Sequence, residues 1–198
     1  MLNRETLHFN FISDAARTFS LHYCCFIGRE RCLSQFVPKF AMEINIRDWT
    51  RDDLSQIQRA WLAYCRNQAR ADMHIKPDCE ITMTRWLSER FRQPFSIGFI
   101  AERGTAAVGF LVGRIDEWDS IPPVIEIRRI GIIDAVYVND AFRRQGIGRR
   151  LIDRAIQTMR DANVIAVETI YDAWNDPATK TWRGAGFAPW MVHAYRML

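Results

Sequence analysis

A strand-like segment is joined to a helix-like segment by eight residues, Arg143-Arg-Gln-Gly-Ile-Gly-Arg-Arg150. We call these eight residues the glycine loop. Before the loop, residues 131–138 are β-branched and apolar without helical spacing, and the turn residues Asn139-Asp140 end them. After it, apolar side chains recur at three- and four-residue spacing from Ile147 to Met159. The sequence therefore predicts a strand that ends near Val138 and an amphipathic helix that begins inside the loop.

The composition of the glycine loop indicates a phosphate ligand. The first turn of a helix has backbone N–H groups without intrahelical partners, and the helix dipole places partial positive charge there. Glycines let a bulky anion approach the backbone, and arginines flank them on both sides. Guanidinium groups bind phosphate through paired hydrogen bonds, so a diphosphate suits this loop better than a neutral ligand does.

Two common phosphate fingerprints do not fit the spacing of the loop. A Walker A loop needs a lysine and a hydroxyl residue after its last glycine, whereas Gly148 is followed by Arg149-Arg150-Leu151. A Rossmann loop needs a third glycine and a downstream acid on the next strand, and the segment supplies neither cleanly. Hydrolysis of nucleoside triphosphates is therefore not expected.

The loop resembles the acyl-CoA loop of the GNAT superfamily of N-acyltransferases, Arg/Gln-x-x-Gly-x-Gly/Ala, which Arg143, Gly146 and Gly148 match at every fixed position. Downstream, Asn175-Asp-Pro-Ala178 followed by Gly186-Phe187 is similar to the family's second signature, in the family's order and separation. The resemblance covers Met42 to Leu198. It implies an α/β fold: a mixed, mostly antiparallel central sheet of six to seven strands flanked by about four helices.

The resemblance also implies acetyl-CoA as the acyl-donor cosubstrate and assigns residues to it. The strand before the loop is expected to separate from its neighbour and to pair its main chain with the pantetheine arm, which Asn175 would also reach. The cofactor-binding residues expected on this basis are Val136, Tyr137, Val138, Arg143, Arg144, Gln145, Gly146, Ile147, Gly148, Arg149 and Asn175.

The implied reaction is direct attack of a primary amine on the thioester. Many family members use a tyrosine seven residues after the asparagine to protonate the thiolate, but that position here is Trp182, whose indole N–H is too weak an acid. Asp134, which interrupts an apolar strand, is the first candidate for a general base, and Glu168 is the second. An acid within a strand is more often ion-paired or solvent-facing, so both roles compete with a structural one.

The remaining elements follow the order of that fold. Alternation from Met42 predicts a first strand, two helices span residues 51–70 and 78–93, and strands cover 95–99 and 106–115. The strand before the glycine loop covers 124–138, and further strands are expected over 164–169 and 190–197. Thr50 with Asp53 resembles a capping box at the start of the first helix. Residues 1–41 lack a sustained period and are interpreted as an N-terminal extension of a catalytic domain over 42–198.

Composition narrows the class of partner. The 198 residues carry a net charge of +4 without a basic stripe interleaved with aromatics, so no nucleic-acid partner is expected. No segment reaches the length of a membrane-spanning helix. Five cysteines without a paired or metal-type spacing indicate a reducing, cytoplasmic location and no metal site.

Three functions remain open at this point. The leading one is N-acetylation of a small-molecule amine, such as an amino acid, a polyamine or an aminoglycoside-like compound. The second is acetylation of a protein lysine or N-terminus, and the third is an acyl-CoA-binding module without turnover, which Trp182 suggests. A homodimer is possible, because the last strands of such folds often pair between subunits.

Overall fold

One five-stranded sheet forms the centre of the protein in the computed structural model, which describes residues 43–68, 74–117, 124, 129–192, 194 and 196. The strands lie in the order in which they occur along the chain. The proposed extension 1–41 lies outside the described residues. The strands are Ile44–Asp48 (β1), Ser96–Arg103 (β2), Ala106–Glu117 (β3), Arg129–Val138 (β4) and Val167–Thr169 (β5).

The sheet is mixed and mostly antiparallel, as expected. Each pair from β1 to β4 is antiparallel, and β5 lies parallel to β4. The strand expected over 190–197 is not confirmed: its described residues, 190–192, 194 and 196, have no regular secondary structure. A strand needs a neighbour with which to pair, and β5 offers an edge of only 3 residues. The described sheet therefore has five strands instead of six or seven.

Four α-helices in the described part of the chain flank the sheet, in agreement with the number that the resemblance implied. Ile147, Leu151, Ile152, Ala155 and Met159 are buried on one face of the helix after the glycine loop, which explains its amphipathic pattern. No helix among the described residues is both long and apolar enough to span a bilayer. The helices are Leu54–Gln68 (α1), Cys79–Arg92 (α2), Ile147–Asp161 (α3) and Asp176–Gly184 (α4), with short 3-10 turns at Arg51–Asp53 and Asp140–Phe142.

The two faces of the sheet carry separate cores. On one face, α3 and Trp182 of α4 pack against Phe99, Leu111 and Ile133. On the other face, Ile57 of α1 and Leu87 of α2 pack against residues of β2 and β3. The helices α1 and α4 therefore lie on opposite faces of the same sheet.

The start of α1 is fixed by a polar cluster. The carboxylate of Asp53, only 3% exposed, accepts hydrogen bonds from the backbone N–H of Thr50 at 2.7 Å and from its hydroxyl at 2.9 Å. Arg47 of β1 donates two hydrogen bonds to the same carboxylate, at 2.7 and 2.9 Å. The predicted capping box is confirmed, and a partly buried ion pair joins the sheet to the start of α1.

Candidate functional site

The strand β5 pairs with only part of β4. The two strands pair at Gly131 with Val167, Ile132 with Glu168 and Ile133 with Thr169, and β5 ends there. The strand β4 continues for five residues, to Val138, with no strand opposite that edge among the described residues. An opening therefore lies beside the second half of β4, and it arises because β5 ends at Thr169.

Backbone polar groups of β4 line this opening. The N–H of Asn139 donates to Val108 of β3 at 2.8 Å, so the polar groups of Asn139 point away from the opening. Successive residues of a strand direct these groups to alternate sides, and those of Val138 and Val136 therefore face the opening. The main-chain polar groups of Tyr137 point toward β3 instead. A Cβ added at Gly109 of β3 would lie 2.7 Å from the carbonyl oxygen of Tyr137. Of the three expected residues, only Val136 and Val138 offer main-chain groups there.

The glycine loop begins at the end of this open edge. Asn139 caps the short 3-10 turn by accepting from Ala141 N–H at 3.1 Å. The Nε of Arg143 then donates to the carbonyl of Val138 at 3.0 Å, which ties the loop to the strand. Gly146 has φ +76°, a conformation that a residue with a Cβ rarely adopts, and it is the N-cap of α3. The loop thus turns sharply from the strand into the helix.

The N-terminus of α3 presents donors without acceptors. The first helical hydrogen bond runs from Arg150 N–H to Gly146, so the N–H groups of Ile147, Gly148 and Arg149 have no backbone acceptor among the described residues. The nearest atom to a Cβ added at Gly148 is Val138 Cγ2, at an ordinary 3.7 Å. Packing does not require glycine at position 148, and the absence of a side chain there leaves these donors unobstructed. The donors, the dipole and the charges fit a pyrophosphate.

The four arginines of the glycine loop divide into two groups: three have side-chain partners within the fold, and Arg144 has none among the described residues. The side chain of Arg149 pairs with Asp153 at 2.8 Å and also donates to the carbonyl of Gly184, and Arg150 donates to the carbonyl of Ile44 at 2.9 Å. These two hold α3 to its surroundings. Arg143 pairs with Asp140 at 2.6 Å on the surface, and Arg144 is exposed without an ion pair to a described residue. The sequence alone did not separate these roles.

Asn175 lies where the second signature places it, at the N-cap of α4. Its Oδ1 accepts from the N–H of Ala178 at 3.1 Å, and its Nδ2 donates to the hydroxyl of Tyr64 at 3.1 Å. Tyr64 belongs to α1, 111 positions away in the sequence. The sequence pattern predicts that Tyr64 lies on the apolar face of α1, but no sequence signal connects Tyr64 to Asn175.

Trp182 is a core residue. Its side chain is 7% exposed and packs between Phe187, with ring centroids 5.0 Å apart, and Tyr171, at 6.4 Å. An aromatic side chain enclosed in this way stabilises the fold through buried area. The position that carries a tyrosine in many GNAT enzymes therefore has no accessible proton donor.

Asp134 lies at an irregularity in β4 and between two arginines. Val112 pairs with Ala135 and Gly113 with Ile133, so Asp134 is an extra residue, a β-bulge. Its carboxylate forms an ion pair with Arg114 of β3 and lies 3.6 Å from Nε of Arg90 on α2. Both guanidinium groups therefore hold this carboxylate in contacts within the fold. Sequence reasoning found Asp134 but missed both arginines.

Glu168 of β5 lies near Asp134, at the end of the opening where β5 stops. It pairs with Ile132 of β4 and is partly exposed, and it forms no ion pair with a described residue. The side chain of Ile133 packs against α3, so the side chain of the preceding residue, Ile132, points to the opposite face of the sheet, toward α1 and α2. Glu168 pairs with Ile132 and points to that face as well. Among the described residues, no group of three or more His, Cys, Asp and Glu side chains could hold a metal ion.

Comparison with known proteins shows the same architecture. An aminoglycoside N-acetyltransferase AAC(6')-Iy in complex with CoA has a TM-score of 0.61 at 16% identity, covering 78% of this chain and 95% of that one. A transcriptional regulator from Bacillus halodurans C-125 has a TM-score of 0.63 at 19% identity, covering 79% and 100%.

An aminoglycoside acetyltransferase from an uncultured soil metagenomic sample, in complex with sisomicin, has a TM-score of 0.58 at 20% identity, covering 78% and 96%. No curated protein sequence matches the chain. At these identities the structural similarities show the fold alone. The family model of the GNAT acetyltransferases matches residues 46–187, well over half of the sequence. The chain therefore belongs to the GNAT acetyltransferase family.

Proposed function

We propose that this protein transfers the acetyl group of acetyl-CoA to a primary amine of a small molecule. One observation carries the proposal: the open edge of β4 runs directly into the glycine loop. A ligand with an amide-rich arm and a pyrophosphate matches this succession of main-chain groups followed by free N–H donors.

Each part of the site has a binding role in this proposal. The N–H groups of Ile147, Gly148 and Arg149 hold the pyrophosphate, together with the main chain of Gln145 and Gly146 and the side chain of Arg144. Arg149 takes part through its backbone only, because its guanidinium is held by Asp153 and Gly184. The main-chain groups of Val136 and Val138 pair with the amides of the arm, and Asn175 closes it from α4.

The chemical step requires a neutral amine and a stabilised carbonyl oxygen. Acetyl-CoA supplies the activated acyl group when bound. Backbone N–H groups of the open edge are placed to donate to the oxygen on which negative charge develops. For the base we favour Glu168 over Asp134, because Asp134 is held by Arg90 and Arg114 whereas Glu168 is free of ion pairs with the described residues.

The proposed acceptor is a small molecule. Solved structures with this fold include aminoglycoside acetyltransferases, one of them in complex with sisomicin. Identities of 16% and 20% do not carry an acceptor from those proteins to this one, so the chemical class stays a proposal. Acetylation of a protein amine and binding without turnover are the alternatives that the assay must distinguish.

A thiol-release assay tests the proposal. The protein is mixed with acetyl-CoA and a panel of amino acids, polyamines and aminoglycosides, and in parallel with lysine-containing and free N-terminal peptides. We expect release of free CoA with at least one small amine and a smaller rate with peptides. Turnover only on peptides, or tight CoA binding with no turnover on either panel, would contradict the small-molecule assignment.

A further inference from the structure

Tyr64 reaches the opening beside β4 from the face of α1. The helix α1 packs on one face of the sheet, and α4 belongs to the core of the other face. The hydrogen bond between Tyr64 and Asn175 nevertheless joins these two helices at 3.1 Å. Side chains on opposite faces of a sheet meet only around an edge or through a gap, and the second half of β4, beyond the end of β5, supplies such an edge. The Tyr64 hydroxyl therefore lies at the mouth of the opening.

The hydrogen bonds of Asn175 leave the proton of Tyr64 available. The Oδ1 of Asn175 already accepts from Ala178 N–H, so the side-chain amide directs its Nδ2 donor at the tyrosine oxygen. The phenol therefore acts as the acceptor in this contact and keeps its own O–H free to donate. The side chain is 37% exposed, so a ligand in the opening can contact it.

The phenol of Tyr64 is protonated at neutral pH, because the pKa of a tyrosine is ordinarily near 10 and the surroundings raise it further. Burial is the largest cause that raises the pKa of Tyr64, and the negative charge of Asp172 raises it further, whereas the hydrogen bond from Asn175 acts in the opposite direction. A group that must give a proton has to carry one at the working pH. Tyr64 meets this requirement.

The reaction needs a proton donor that the second signature does not supply. Trp182 is buried between Phe187 and Tyr171 and has no acidic proton to give. The sulfur of CoA leaves more readily when a proton is delivered to it as its bond to carbon breaks. Asn175 lies on the α4 side of the opening, and the hydroxyl of Tyr64 contacts the side chain of Asn175.

We propose that Tyr64 is a catalytic residue that donates its phenolic proton to the departing sulfur of CoA. This inference rests on the proposed function. The amine nitrogen forms the bond to the acyl carbon, the carbon–sulfur bond breaks, and the sulfur takes the Tyr64 proton. The proton lost by the nitrogen passes to the base and solvent, and solvent returns a proton to the phenolate. The products are the amide and the free thiol.

The substitution Tyr64→Phe removes only the hydroxyl. The first readout needs no acceptor: the pKa of the thiol of bound CoA, followed by thiolate absorbance in the ultraviolet as pH is raised. A hydroxyl that donates to the sulfur stabilises the thiolate, so we expect Tyr64→Phe to raise this pKa by about one unit. With an active amine, kcat should fall about a hundredfold, while KM for acetyl-CoA stays within about twofold.

Tyr171→Phe is the matched control, because Tyr171 lies in the core against Trp182 and is assigned no part in the site. It should leave the thiol pKa and kcat of the wild type unchanged.

If Tyr64→Phe binds CoA normally and shows the wild-type thiol pKa, the role of Tyr64 is overturned while the proposed function stands. If KM rises and kcat does not change, Tyr64 only closes the site. If the wild type does not bind CoA at all, the proposed function fails, and this inference fails with it.

Discussion

Two regions of this protein, the start of α1 and the glycine loop, differ in what their arginine side chains contact. At the start of α1, Arg47 directs its donors to Asp53 and to Glu102, the latter at 2.6 Å. In the glycine loop, Arg144 is exposed without an ion pair to a described residue. An arginine whose hydrogen bonds are satisfied within the fold contributes to stability, whereas we propose that the exposed Arg144, beside free N–H groups, binds a ligand.

The largest expected effect falls on ligand binding. Gly148→Glu places a carboxylate among the free N–H groups of α3, where it blocks the pyrophosphate and repels it. We expect CoA affinity to fall by at least about a hundredfold, because two like charges are brought together at a desolvated site. Isothermal calorimetry measures the affinity, and thermal unfolding confirms the fold.

Gly148→Ala is the control for this substitution. A Cβ at this position meets only Val138 Cγ2, at 3.7 Å, so the variant should fold as the wild type does. Its CoA affinity should fall by much less than that of Gly148→Glu. Equal affinity of the glutamate variant and the wild type would remove the glycine loop from the binding site.

The second effect falls on stability. Asp53→Asn removes the charge that Arg47 pairs with at a side chain that is 5% exposed, and we expect the free energy of unfolding to fall by about 3 kcal/mol. Asp52→Asn is the control, since Asp52 is exposed and should change stability by less than about 0.5 kcal/mol. Urea unfolding measures both. Affinity of the folded Asp53→Asn variant for CoA should not change.

The pH dependence of stability provides an independent check on the same ion pair. The hydrogen bonds from Arg47, opposed by burial and assisted by Thr50, lower the pKa of Asp53 from 3.8 to about 2. A lowered pKa in the folded state stabilises the protein above pH 3.8, and this contribution is lost as the pH falls through about 2. The difference corresponds to about 2 kcal/mol. The stability gap between wild type and Asp53→Asn should therefore narrow on acidification; a constant gap would exclude this assignment.

The smallest effects distinguish arginines within the glycine loop. Arg144→Ala should weaken CoA binding about tenfold, more at low salt than at high salt, without changing thermal stability. Arg150→Ala should leave the affinity within about twofold and lower the free energy of unfolding by about 1 kcal/mol, because it removes the hydrogen bond to Ile44. If both variants lost affinity equally, the division of the loop arginines into two groups would be wrong.

Much of the architecture was predictable because its signals are local. The cap at Thr50 and Asp53, the apolar face of α3 and the helix start at Gly146 each depend on residues within a few positions of one another. The sixth strand over 190–197 was predicted from the resemblance, and the described residues there do not form one. Whether a short apolar segment becomes a strand depends on an available edge, which is a property of the packed sheet.

The sequence by itself determined that a loop rich in glycine and arginine stands between a strand and an amphipathic helix, and that a capped helix follows at the spacing of the GNAT family. These features are encoded by backbone conformation and side-chain period over short stretches. Only the tertiary structure decided that Arg149 is used internally, that Asp134 is held by Arg90 and Arg114, and that Tyr64 meets Asn175. Such contacts join residues far apart in the chain, and they exist only after the sheet has set the positions of its helices.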